Sequence, residues 1–253
     1  GLHFLSSYYD VMHNKKSNDL VAEFVRNKIR AQVKDPRTAE MLCPRTIIGC
    51  KRLCVDTDYY ETYNWPNVSL INVNDKDEGA TPIRRLTKSG IQTTDGTEYE
   101  VDAVVFAIGF DAITGALLNM DITGPGGKRL ADAWSRGPAS YLGLSIAGFP
   151  NLFTVAGPGS PSVLTNMIRS IEQHVDWIAE AMAFCRRKGV RKMDVEQATQ
   201  DDWMRHVEEV VAPTLRASPA CHSWYSGDNV PGKPRTISPY TGGLPAYTKA
   251  LNQ

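Results

Sequence analysis

From Asn151 to Trp177 the sequence reads NLFTVAGPGSPSVLTNMIRSIEQHVDW: a short apolar run, a Gly/Pro turn and a long segment of helical period. NLFTVAG is β-branched and bounded by Pro150 and Gly157, so it reads as a buried strand. Leu164, Met167, Ile168, Ile171, Val175, Ile178 and Met182 recur at steps of three and four, which sets them on one apolar helix face. Ser160 can cap this helix with Pro161 in its first turn, and Arg186, Arg187 and Lys188 before Gly189 suit its negative pole and C-cap. Strand, glycine turn and helix is the geometry by which α/β proteins aim unpaired N–H groups at an anion. Gly157 to Ser162 is therefore a candidate anion site, although an ordinary crossover in a parallel sheet accounts for the pattern equally well.

The chain opens with a helical region. A helix is predicted from Ser17, capped by Ser17 or Asn18, with Leu20, Val21, Phe24, Val25, Ile29 and Val33 as its apolar stripe and Asp35-Pro36 as its stop. A shorter one covers Thr38 to Cys43. Asn67 to Val73 reads as a strand. From Ile83 the pattern turns to antiparallel hairpins, with Asp95-Gly96 as a turn tolerant of positive φ. The last arm runs into VDAVVFA, residues 101–107, a run of the kind buried on both faces. Tyr141 to Ile146 is a further candidate strand, and Thr199 to Val211 a further helix, capped by Thr199 and stopped by Pro213. SWYSGDNVPGKPRTISPYTGG has no period of its own and reads as a lid. Lys51 and Arg52 interrupt Ile47, Ile48, Leu53 and Val55; they are either snorkelling cations at a sheet edge or functional charges.

Twenty-eight basic residues balance 28 acidic ones, which argues against nucleic acid or an anionic membrane as partner. No stretch has the length of a membrane span, and the N-terminus lacks a signal-peptide pattern, so a cytoplasmic protein is expected. Five cysteines, an odd count, suggest free thiols in a reducing compartment. Cys43, Cys50 and Cys54 lack metal-site spacing, no metal is expected, and the histidines at 3, 13, 174, 206 and 222 form no ligand or triad pattern. The chain starts with glycine, which suggests a processed or partial molecule.

GIQTTDGTEYEVDAVVFAIGF, with KRLCVDTDYY before it, GFDAITGALLNMDI and YLGLSIAGFPNLFTVAGPGSPSVLTNM after it, and WYSGDNVPGKPR near the end, resembles the Baeyer–Villiger flavin monooxygenases of the phenylacetone and steroid type. The resemblance spans nearly the whole chain but only the C-terminal half of such an enzyme: the two GxGxxG motifs and the FxGxxxHxxxW fingerprint are absent. GPGSPS has serine where a third glycine belongs, and AIG stands where ATG is usual. The resemblance implies an α/β fold, part of a two-dinucleotide-binding-domain flavoprotein in which a parallel sheet carries an antiparallel meander, plus a small helical subdomain. Residues 1–47 would be the helical insertion of the NADPH domain, 48–110 the end of that domain, and 111–253 the second part of the FAD domain.

The family uses FAD, NADPH and O2 to insert oxygen beside a ketone carbonyl. By position in KRL, Arg52 matches the arginine that supports hydride delivery and holds charge developing on oxygen, and Lys51 matches a residue near the NADPH 2′-phosphate. Trp224 matches a lid tryptophan on the nicotinamide cofactor, or else anchors the loop. Met167, Asp111 and Asn166 fall at flavin positions, with core packing an equal account of Met167. Ser162, Val163, Leu164 and Thr165 would line the substrate pocket. The implied partner is the N-terminal half of the same enzyme. The alternatives are a flavin monooxygenase acting on nitrogen or sulfur, and a non-catalytic scaffold that keeps the fold.

Overall fold

The computed structural model describes residues 4, 5, 8–75, 77 and 79–252. Helix α1, Lys15–Gln32, is capped by Asn14, whose side chain accepts from Lys16 N. The predicted caps do other work. Asn18 is buried and ties α1 to the segment before Lys51, donating to Val11 O and Ile48 O, each at 3.0 Å, and accepting from Ile48 N at 3.1 Å. Asp35 caps α2, Pro36–Leu42, by accepting from Thr38 N, and Pro36 sits in its first turn. Ile29, Val33, Ala39 and Cys43 close a small core between the two helices, covered by Tyr60 and Tyr63.

Strands β1 (Ile83–Leu86), β2 (Gly90–Thr93) and β3 (Glu98–Glu100) form the predicted antiparallel meander, in the order β1-β2-β3. Gly96 takes φ 89° in its turn, and Asp95 accepts from Thr93 and Thr97. The other expected strands are not strands among the described residues. Residues 67–73 and 101–107 form no ladder, and 141–157 retains only isolated bridges, Tyr141 with Ser145 and Ser145 with Phe153. A strand needs a neighbour to take its N–H and C=O groups. No described strand lies beside residues 101–110, so Val105, Ile108 and Phe110 are 88, 90 and 89% exposed instead of buried.

Two short helices follow, α3 (Gly115–Leu118) and α4 (Leu130–Ala133), and then α5, Met167–Lys188. Helix α5 starts later than predicted. Ser162–Leu164 is a separate 3₁₀ turn, Thr165 is extended, and Asn166 caps α5 by accepting from Ile168 N and Arg169 N. Ser160 instead donates to Gly157 O at 2.8 Å. The C-terminal end is as predicted, with Gly189 in the left-handed region at φ 66° after three cations. The apolar stripe, however, does not pack as one face. Ser170 and His174 are the residues α5 buries fully, while Ile168, Val175 and Met182 are exposed.

Helix α6, Gln197–Val211, and α7, Leu244–Leu251, complete the main core. Trp203 and Val207 of α6 meet Tyr247 and Leu251 of α7, together with Leu142, Leu144 and Tyr240. Tyr247 ties this core to the Gly/Pro turn: its hydroxyl donates to Leu142 O at 2.6 Å and meets His174 Nε2 at 2.7 Å, while Ala156 N donates to His174 Nδ1 at 3.0 Å. Because Nδ1 accepts, the neutral ring carries its proton on Nε2, which donates to Tyr247. Burial favours that neutral form and depresses the His174 pKa to about 4.

Candidate functional site

Arg52 reaches across the molecule. Its Nη1 donates to Val163 O at 2.8 Å, which brings the KRL segment against the 3₁₀ turn that follows Pro161. Lys51, Arg52, Val163 and Leu164 thus line one small cavity, and Arg216 and Tyr225 complete it. Among the predicted residues, Ser162, Thr165, Asn166, Met167, Asp111 and Trp224 do not line it. Trp224 lies next to it, its ring edge-on to Tyr225 at 4.4 Å between centroids. The Asn166 Oδ1 accepts from the first turn of α5. Asp111 forms an ion pair with Lys233, and Asn229 Nδ2 reaches Phe110 O at 3.5 Å, so the lid segment is tied to the GFDA segment.

The turn from Gly157 to Ser160 is not an open anion nest. The Gly157 N–H donates to Gly143 O, that of Gly159 to Ser238 O and that of Ser160 back to Gly157 O. The glycine serves packing: a Cβ on Gly157 would meet Thr154 Oγ1 at 2.5 Å and Gly143 O at 2.7 Å. Ser238 O and Tyr240 N hold the C-terminal segment onto this same turn.

Cys50 and Cys221 form a disulfide with their Cα atoms 5.5 Å apart, contrary to the expectation of free thiols only. The two cysteines are 171 positions apart and pack with Ile47 in a small apolar cluster, so nothing local in the sequence pairs them. The bond joins the residue preceding Lys51 to the start of the lid. Cys43, Cys54 and Cys185 are free. The described residues contain no cluster of His, Cys, Asp or Glu suited to a metal ion.

Charge in the cavity is one-sided. Arg216 Nε is buried without a hydrogen-bond partner, and burial lowers its pKa. Burial raises that of Tyr225, and the Arg52 and Arg216 guanidinium groups oppose that rise. Nearby, burial would raise the Asp228 pKa, but hydrogen bonds from Ser223 N, Ser226, His222 and Arg235 outweigh it and hold the carboxyl below its usual range. Asp228 thereby braces the lid behind Tyr225, accepting from Ser223 N at 2.8 Å. Sequence reading missed Arg216, a lone arginine in TLRAS with no periodic or motif signal. A larger surface groove of about 730 Å³ along α5, lined by Arg169, Glu172 and Trp177, contains none of the predicted residues.

No protein-family model matches this sequence. The chain is 37% identical over 254 residues to a phenazine N-monooxygenase of Lysobacter antibioticus, covering 100% of this chain and 45% of that protein. It is 38% identical over 249 residues to a methyl acetate-forming acetone monooxygenase of a Gordonia species, covering 98% and 45%. It superposes on a closed crystal structure of cyclohexanone monooxygenase with a TM-score of 0.91 at 36% identity, covering 98% of this chain and 45% of that one. For an oxidized steroid monooxygenase bound to NADP the TM-score is 0.86 at 40% identity, covering 97% and 45%. The chain thus spans a little under half the length of the relatives it matches.

Proposed function

From its end-to-end homology to the C-terminal part of the Baeyer–Villiger flavin monooxygenases, we propose that the chain supplies the C-terminal portion of an FAD- and NADPH-dependent enzyme that inserts one oxygen atom of O2 beside a ketone carbonyl, giving an ester or lactone. The observation that carries this reading is the position of Arg52, held by Val163 O against the segment assigned to the substrate pocket. Bound flavin, reduced by NADPH, would supply the oxygen chemistry.

The residues present fit an anionic group beside them. Lys51, Arg52 and Arg216 have no ion-paired carboxylate among the described residues, and one buried guanidinium nitrogen lacks an acceptor. The Arg52 guanidinium offers a planar fork of donors and a positive charge where negative charge develops. Lys51 holds the NADPH 2′-phosphate, and Trp224, braced by Tyr225, covers the nicotinamide. Ser162, Val163, Leu164 and Thr165 shape the ketone pocket. Asn166, Met167 and Asp111 stand at the flavin, Asp111 through a carboxylate that Lys233 already orients.

Residues 1–47 form the helical insertion of the NADPH domain, 48–110 its end, and 111–253 the second part of the FAD domain. The exposed run 101–110 and the Ile168, Val175 and Met182 stripe are the faces on which the N-terminal half packs. No described helix is long and apolar enough to cross a membrane. We place the protein in the cytoplasm, where NADPH is supplied, with the Cys50–Cys221 bond buried away from reductants.

The test is product analysis on the full-length protein with NADPH and O2. A ketone converted to an ester or lactone supports the reading; NADPH consumption without oxygenated ketone product contradicts it. A second reading, oxygenation at nitrogen, is favoured by the phenazine N-monooxygenase relative. An aromatic N-heterocycle assayed beside the ketone separates the two.

A further inference from the structure

Residues 222–238 of the lid contain turns but no helix or strand, so no regular backbone pattern orders them. One side chain takes over that task. Asp228 Oδ1 accepts from Ser223 N at 2.8 Å and from Ser226 Oγ at 2.9 Å, and its Oδ2 accepts from His222 Nδ1 and from Arg235 Nε, each at 3.2 Å. Four donors thus converge on one carboxylate whose side chain is 13% exposed. Hydrogen bonds to an ionised acceptor are the strong ones, and partial burial strengthens them further.

The donors come from both arms of the lid. His222, Ser223 and Ser226 belong to the outgoing arm, which starts beside the disulfide at Cys221. Arg235 belongs to the returning arm, and its Nη2 also donates to Ser218 O at 2.9 Å. Thr236 N donates to Ser226 O and Ser238 N to Tyr225 O, each at 3.0 Å, so the backbone of the two arms meets where the carboxylate draws them together. Gly227 takes φ 75°, a left-handed bend that folds Asp228 back toward Ser223. Trp224 and Tyr225 lie between Ser223 and Ser226, the two residues that donate to Asp228 Oδ1. The direction in which both rings leave the backbone is therefore set by the carboxylate that closes this turn.

We propose that Asp228 is a positioning residue for the nicotinamide cofactor: by clamping the two arms of the lid, it holds Trp224 ready to cover the nicotinamide before the cofactor arrives. The role given to Trp224 rests on the proposed function; the clamp itself rests on the four hydrogen bonds. A lid already ordered loses less conformational entropy when a ligand meets it, so the gain falls on cofactor affinity.

The test is calorimetric titration of the full-length protein with NADP+, using Asp228→Asn, Asp228→Ala, Trp224→Ala and the variants that combine each Asp228 change with Trp224→Ala. Asp228→Ala is expected to weaken NADP+ binding about tenfold, the scale of one charge-assisted hydrogen bond. Asp228→Asn keeps an oxygen for Ser223 N and Ser226 Oγ but turns an N–H2 group on Arg235, so its loss is expected to be smaller and still measurable. Because the carboxylate acts through Trp224, each double variant is expected to bind NADP+ within about twofold of Trp224→Ala alone. A residue that only stabilised the fold would not show this dependence on Trp224. An Asp228→Asn variant that binds NADP+ as tightly as the unmodified protein overturns the proposal, as do double variants whose losses multiply. The asparagine pair decides the matter if Asp228→Ala does not fold. An unmodified protein that binds no NADP+ overturns the proposal as well. The readout is cofactor binding, so NADP+ binding without ester or lactone formation bears on the proposed function and leaves this result standing.

Discussion

Arg52 Nη1 lies 2.8 Å from Val163 O, joining two segments 111 positions apart. The bond fixes one end of a long side chain that is otherwise exposed, and a fixed guanidinium loses less entropy when it meets an anion. The Cys50–Cys221 disulfide constrains the same segment from the other side, through the residue two positions before Arg52. Together they hold the candidate catalytic cation between the Gly/Pro turn and the lid.

The disulfide predicts a thiol count. Under denaturing, non-reducing conditions three of the five cysteines react with a thiol reagent, and all five react after reduction. Replacing Cys50 and Cys221 with serine opens a closed loop of 171 residues and is expected to cost about 2 to 5 kcal/mol in urea unfolding. Five reactive thiols without reductant would contradict the bond.

His174 predicts an acid sensitivity. Its neutral ring accepts from Ala156 N, so protonating Nδ1 would set two donors against each other. The folded pKa of about 4 lies below the ordinary 6.5, so the stabilising contribution is fully present above pH 6.5 and is lost as pH falls toward 4. The loss is expected to reach about 3 kcal/mol, seen as a falling urea midpoint between pH 7 and pH 4.5. A His174→Gln variant with the same pH slope would remove this histidine from the account.

Gly157→Ala is expected to destabilise by about 1 to 3 kcal/mol, because the new methyl would press on Thr154 Oγ1 and Gly143 O in a turn that cannot shift freely. Thermal unfolding reads it. Gly189→Ala meets no atom within 4 Å and is expected to cost less, only the strain of a left-handed backbone.

The exposed run 101–110 predicts association. Val105 and Ile108 are nearly fully exposed in a segment with no strand partner among the described residues, a surface open to another chain. The isolated chain is expected to self-associate in light scattering, and Val105→Glu with Ile108→Lys to suppress this. A monodisperse unmodified chain would contradict the reading of this face as one built to be covered.

What the sequence disclosed was mainly what is local. The meander, the αL cap at Gly189 and the two helices before Pro44 depend on residues a few positions apart, and they stand where the pattern put them. The run 101–107 did not form a strand because its pattern is complete only with a neighbour. The α5 stripe misled for a related reason: periodicity locates an apolar face but not what covers it, and here the buried contact goes to polar His174. Helix α7 is absent from the sequence expectations, although Leu244, Tyr247 and Leu251 follow helical spacing after Gly243, with Pro245 in the first turn. Lys51 and Arg52 were visible as cations in apolar company, whereas Arg216 gains its meaning only from the cavity that surrounds it.

The central claim is that Arg52 holds the charge developing during oxygen insertion. The most direct measurement is ester or lactone formed per NADPH oxidised by the full-length protein and its Arg52→Ala variant. The account predicts a loss of about a hundred- to a thousand-fold in product formation, roughly 2.7 to 4 kcal/mol, with ketone KM little changed. Product formation by Arg52→Ala within about threefold of the unmodified protein, well under 1.4 kcal/mol, would contradict it.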